Sequence, residues 1–233
     1  MIINCKEKIM NTYKVQARFF GIFFILSFLF YGLGSGLIES VIGVPDILSN
    51  VYANKTRIII GAILMAILHT FTNIAMPVLI LPILKKYNKY LSYGYLSAAI
   101  AATVTLVVGA IFLLLLLPLS DEYLKASSVL VPNLDIMAII LKKGGYFSYQ
   151  LGMALWSLGG FMFCMILYQS KLVPRLLSIW GFAGYVIFIS GTILELFGYN
   201  IGVLLSLPAG LFEISLSLWL IFKSFNTHKL NSN

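Results

Sequence analysis

The chain has 233 residues, 60% of them apolar and only 10% charged, with a net charge of +8 and a mean hydropathy of +0.97. Charged residues make up about a quarter of a soluble globular domain, so this composition excludes a water-soluble fold. The sixteen Lys and Arg residues sit at the ends of apolar runs, not along one basic face, which argues against nucleic acid as a partner.

Read in order, a basic cytoplasmic N-terminal segment, residues 1–16, carries Lys6, Lys8 and Lys14 and leads into an apolar run from Ala17 to Ile38. That run is longer than the 7 to 15 residues of a signal-peptide core, so it is expected to stay as a first span. Further runs predict an all-α, polytopic membrane protein: one bundle of six transmembrane helices at 17–38, 57–84, 93–118, 146–169, 173–197 and 200–223, with a cytoplasmic tail at 224–233. Each run meets the roughly 20 residues needed to cross a bilayer core of about 30 Å.

The boundaries have physical causes. Gly32 and Gly36 in the first span lack the strand and the Lys-Ser/Thr of a phosphate loop and read as helix-packing positions. Lys85, Lys86 and Lys89 close the second span, and Pro118 is expected to stop the third. Pro174 suits the first turn of the fifth, where its missing N–H costs nothing. The connection 119–145 is the longest, and its apolar segment Leu134 to Leu141 is too short to cross. It is expected to lie on the interface or to cap the bundle.

Lys and Arg counts set the orientation. With the N-terminus inside, Lys6, Lys8, Lys14, Arg18, Lys85, Lys86, Lys89, Lys171, Arg175, Lys223 and Lys229 are cytoplasmic, eleven in all, against five outside: Lys55, Arg57, Lys125, Lys142 and Lys143. This bias places both termini in the cytoplasm. The high Lys, Asn and Ile content points to a bacterium of low GC content and therefore to its plasma membrane.

Within the last span Gly202, Ser206, Gly210, Glu213 and Ser217 recur at helical spacing, which turns Glu213 toward protein. Ala62, Ala66, His69 and Asn73 form a similar stripe in the second span. At 1.5 Å per residue, His69 and Glu213 both fall roughly 18 to 20 Å from the outer boundary. A carboxyl at that depth must be protonated, hydrated in a cavity or paired with a donor. The candidate polar pocket is therefore Glu213, His69 and Asn73, with a hydrogen bond from the second span to Glu213. A purely structural carboxyl, bonded to a backbone carbonyl such as that of Leu204, is the competing reading. Glu195, a weaker candidate, is close enough to the outer turn to be a solvated carboxylate.

No catalytic residue, cofactor-binding motif or metal site is legible. His69 and His228 do not supply ligand spacing, Cys5 and Cys164 lie at different levels, and no Ser stands in a nucleophile elbow.

Three segments carry a family resemblance: Leu84-Lys85-Lys86-Tyr87-Asn88 running into Leu91-Ser92-Tyr93-Gly94-Tyr95; Lys171-Leu172-Val173-Pro174-Arg175 followed by Leu176-Leu177-Ser178-Ile179-Trp180-Gly181; and Pro208-Ala209-Gly210-Leu211-Phe212-Glu213 with Trp219-Leu220. In these the chain resembles the bacterial integral-membrane family termed domain of unknown function 4386. The resemblance implies a six-span bundle and assigns no reaction. It matches Glu213, but where relatives often carry an Arg and a Glu early in the third span this chain has Ala99 and Ala102.

Three functions follow in order. The first is handling of a small molecule or proton through the intramembrane pocket. The second is a non-catalytic scaffold or regulatory subunit serving a partner membrane protein. An intramembrane lipid-modifying enzyme comes last, since it needs a nucleophile with a base, or a metal.

Overall fold

The computed structural model describes residues 2–226, with side chains from residue 11 onward. His228 and Lys229 lie outside the described residues, as do the side chains of Cys5, Lys6 and Lys8. The described residues form helices and turns, with no strand among them. In chain order they are α1 (Ile2–Ile42), α2 (Ile47–Ala53), α3 (Lys55–Ile63), a π-helical turn (Leu64–Leu68), α4 (His69–Leu84), α5 (Lys89–Leu114), α6 (Leu116–Lys125), α7 (Val131–Ser170), α8 (Arg175–Leu196) and α9 (Gly202–Phe222). Among the described residues six segments are long and apolar enough to cross a membrane: Asn11–Ile42, Lys55–Leu84, Lys89–Lys125, Val131–Ser170, Arg175–Leu196 and Gly202–Phe222.

The number and order of spans agree with the hydropathy reading, and the largest difference lies between the third and fourth. Residues 119–145 are not an open connection: α6 and the first part of α7 occupy most of them, leaving only 126–130 between helices. Leu134 to Leu141 therefore continues into the fourth span as one helix of 40 residues. Two signals misled. Pro132 falls in the first turn of α7, where proline is tolerated. The pair Gly144-Gly145 looks like a helix breaker but serves close packing: a Cβ on Gly144 would lie 2.8 Å from Phe112, and one on Gly145 would lie 3.0 Å from Leu113. Pro118 acts upstream of its own position. Lacking an N–H for the Leu114 carbonyl, it separates α5 from α6 at Leu115 and sits in the first turn of the latter.

The described residues divide into two compact units, one within 1–26, 72–102 and 153–226, the other of 27–71 and 103–152. In the first, Phe20 and Phe24 of α1, Met76 and Ile80 of α4, Tyr95 of α5, Phe163 of α7, Tyr185 of α8 and Phe212 of α9 share one apolar core. Small residues allow close helix approach within it: a Cβ on Gly184 would stand 3.0 Å from the Ala209 backbone, so α8 and α9 meet nearly backbone to backbone there. Ala99 and Ala102 are fully buried in the same core.

The second unit is built around Ile38, Val41 and Ile42 of α1, Leu48 and Val51 of α2, Ile58 of α3, Met65 of the π turn and Leu116 of α6. Gly34 and Gly61 make the α1–α3 approach, each lying where the other's carbonyl would meet a Cβ, at 2.6 and 2.7 Å. Gly32 and Gly36, the expected packing positions, face open space. Lys55 forms an ion pair with Asp121, joining the start of α3 to α6.

Candidate functional site

Helix α9 buries Ala209, Phe212, Glu213, Leu216, Ser217 and Leu220, a pattern of three- and four-residue steps that puts one face into protein. Glu213 is only 4% exposed. Its Oε1 accepts two hydrogen bonds, from Trp156 Nε1 on α7 at 2.9 Å and from the Tyr185 hydroxyl on α8 at 2.6 Å. Both donors are buried as well. None of the ion pairs among the described residues involves Glu213.

The surrounding sequence makes room for this arrangement. Gly160, one turn after Trp156, lies against the Tyr185 ring so closely that its missing Cβ would fall among the ring atoms. Gly181, one turn before Tyr185, gives the same space to the Phe212 ring and to Cys164 Sγ, the latter 2.6 Å from where a Cβ would be. Phe212 stands edge-on to Tyr185, with ring centroids 5.9 Å apart, and Phe24 flanks Trp156 at 5.9 Å. The donors therefore have little freedom to turn away from the carboxyl.

Glu213 thus takes its hydrogen bonds from the fourth and fifth spans and not, as expected, from the second. Its partners are side chains and not the Leu204 carbonyl. Asn73 is buried in the same unit. His69 belongs to the second unit, where its ring meets Tyr31 edge-on at 5.1 Å. It directly follows the π-helical turn, a feature often found at functional positions because it re-aims the residues after it.

In that second unit a cavity of about 300 Å³ opens among Tyr31, Ser35 and Glu39 of α1 and Lys142, Tyr146 and Tyr149 of α7, near the lower end of the usual range for small-molecule pockets. Lys142 Nζ lies 3.3 Å from Glu39 Oε1 and donates to the Ile42 carbonyl at 2.9 Å. Glu39 keeps 61% of its side chain exposed and Lys142 keeps 35%, so the pair is not enclosed by protein, and as an exposed pair its own contribution to stability is at most about 1 kcal/mol. Tyr31 stacks on Tyr149 at 5.7 Å and also meets the His69 ring, so Tyr31 links the cavity wall to that histidine.

These residues were missed because both charges fell in segments taken for loops. The spacing was nevertheless present: Tyr31, Ser35 and Glu39 are four apart, and Lys142, Tyr146 and Tyr149 follow by four and three. The same holds for Trp156, Gly160 and Cys164, whose four-residue steps mark the α7 face that meets Tyr185.

Glu195 is not a solvated carboxylate. It is 8% exposed, and its Oε1 accepts the Gly202 N–H at 2.6 Å. It thereby satisfies one of the amides left open at the start of α9, where negative charge is also favoured by the helix dipole.

An all-α bundle with six helices of membrane-crossing length defines the class, a multi-pass membrane protein. Residues 19–224 match the family described as domain of unknown function 4386. That match spans most of the sequence, and the chain belongs to this family. No curated protein and no solved structure matches it.

Proposed function

We propose that this is a multi-pass protein of a bacterial plasma membrane, with both termini in the cytoplasm, that handles a small polar molecule at an intramembrane site. The α1/α7 cavity carries this reading. It offers one cation, one anion, a serine hydroxyl and three tyrosines within about 300 Å³, a set able to hold a molecule bearing both charges or several hydrogen-bonding groups. His69, behind Tyr31, is the inner limit of that site.

Glu213 and Asn73 belong to the other unit and serve the proposal differently. Glu213 with its two fixed donors is the polar core that holds α7, α8 and α9 in register, and it is the group through which a proton would act if one is handled. The scaffold alternative draws on the same observation, since a buried carboxyl bonded by Trp156 and Tyr185 is a competent structural element without any ligand.

The test is capture of small molecules by the purified full-length protein, with mass spectrometry of what is released. Wild type should retain a polar compound that the Lys142→Gln and Tyr149→Ala variants lose at equal fold quality. Identical retention by all three, or none by wild type prepared in native lipid, favours the scaffold.

A further inference from the structure

A second, chemically distinct site lies in the first unit, where the α7–α8 connection meets the end of α9. A cavity of about 460 Å³ is lined there by Lys171, Arg175, Trp219, Lys223, Ser224 and Asn226 with their neighbours. The chain closes it on itself: after α9 it turns at Ser224, with φ of 64°, and the Asn226 N–H bonds to the Leu172 carbonyl at 2.9 Å. Leu172, Val173 and Phe225 are buried beneath and form the apolar floor.

Three cations face this cavity, and among the described residues none of them forms an ion pair. The tail from 227 to 233 contains neither Asp nor Glu, so no acidic side chain is available there to neutralise them. Helix α8, 22 residues long, begins at Arg175 with no side-chain cap on its first turn, leaving amides directed toward negative charge. Independently, Ser224 is 7% exposed, and its hydroxyl has no hydrogen-bond partner among the described residues. A buried hydroxyl left unmatched costs roughly 1 to 3 kcal/mol, and a phosphate oxygen would match it.

We propose that this cavity binds a phosphate group of net negative charge, with Lys171, Arg175 and Lys223 supplying the charge, Ser224 the buried donor and Trp219 the interfacial wall. Basic pockets between helix ends on the cytoplasmic side are suited to anionic lipid headgroups; free inorganic phosphate offers the same chemistry. Lys171 and Lys223 also follow the C-terminal ends of α7 and α9, where cations are stabilised without any ligand, and the test must separate the two roles.

The full chain, purified in a neutral detergent, is titrated with phosphatidylglycerol or with phosphatidylcholine of the same acyl length and followed by native mass spectrometry. A parallel arm adds millimolar inorganic phosphate. One phosphatidylglycerol should be retained in preference to phosphatidylcholine. Replacing Lys171, Arg175 and Lys223 together by Gln should weaken it about a hundredfold, from roughly fivefold per surface cation. Ser224→Ala, with all charges kept, should weaken it about tenfold. The same loss of charge at Lys85, Lys86 and Lys89 should change it less than twofold. Displacement by inorganic phosphate assigns the site to the free anion, and resistance to it assigns the site to the lipid. Equal retention of the two lipids, an equal loss in the Lys85/Lys86/Lys89 variant, or an unchanged Ser224→Ala would overturn the proposal. Unfolding midpoints in lipid-free detergent identify any variant that has lost its fold, in which case Lys223→Gln and Ser224→Ala alone decide.

Discussion

Gly160→Ala should loosen the Glu213 site through one added methyl group. Built on the existing backbone, that methyl overlaps the Tyr185 ring. The ring is 1% exposed and is held from another side by Phe212 at 5.9 Å. It cannot turn without drawing its hydroxyl away from Glu213 Oε1, now 2.6 Å distant. Overpacking of this kind costs about 1 to 3 kcal/mol, and a lost hydrogen bond to a buried carboxyl adds about 1 to 3 kcal/mol. A destabilisation of roughly 2 to 5 kcal/mol follows, allowing for partial relaxation. Reversible unfolding in mixed micelles measures it, provided the two-state tests are met. Tyr185→Leu removes the ring, so Gly160→Ala placed in that background should cost less than about 1 kcal/mol, with the difference appearing as coupling energy. An equal cost in both backgrounds would refute the steric argument and, with it, the placement of Tyr185 between Gly160 and Glu213.

Three further outcomes follow from the same geometry. Trp156→Phe and Tyr185→Phe each remove one donor to Glu213 while the other still bonds Oε1, so each should destabilise by about 1 kcal/mol, while the double variant, which leaves the buried oxygen without a donor, should exceed their sum; a thermodynamic cycle in micelles checks this. Glu195→Ala removes the α9 cap and should cost about 0.5 to 2 kcal/mol, with faster hydrogen exchange at Gly202 than at the middle of the helix. Glu213→Gln keeps an acceptor for Trp156 and Tyr185, so protein levels in cells should stay normal; loss of the protein itself would assign the carboxyl to structure alone.

The helical architecture was legible because lipid leaves few choices: runs of this length and apolarity must be helices when water cannot serve the backbone. Positions within it were harder to read. Gly34 rather than Gly32 or Gly36 makes the close approach to α3, since which face of a lipid-embedded helix meets protein depends on its neighbours and not on its own pattern. Glu213 was found because an acid in an apolar run stands out. Its donors Trp156 and Tyr185 did not, because aromatic residues are ordinary in such helices and only the glycines beside them reveal that the rings point inward. Glu39 and Lys142 were assigned to loops because a hydropathy window ends a span at the first charges, whereas α1 and α7 continue as helices past the apolar limit.

Cysteine accessibility in whole cells tests the central claim most directly, with Cys5 and Cys164 first replaced by Ser. In that background Ser35→Cys, in the α1/α7 cavity, should react with a membrane-impermeant thiol reagent added from outside, and Glu213→Cys should not react from either side. An unreactive position 35 together with a reactive position 213 would contradict the account, since it would move the accessible site from the α1/α7 cavity to the packed core of α7, α8 and α9.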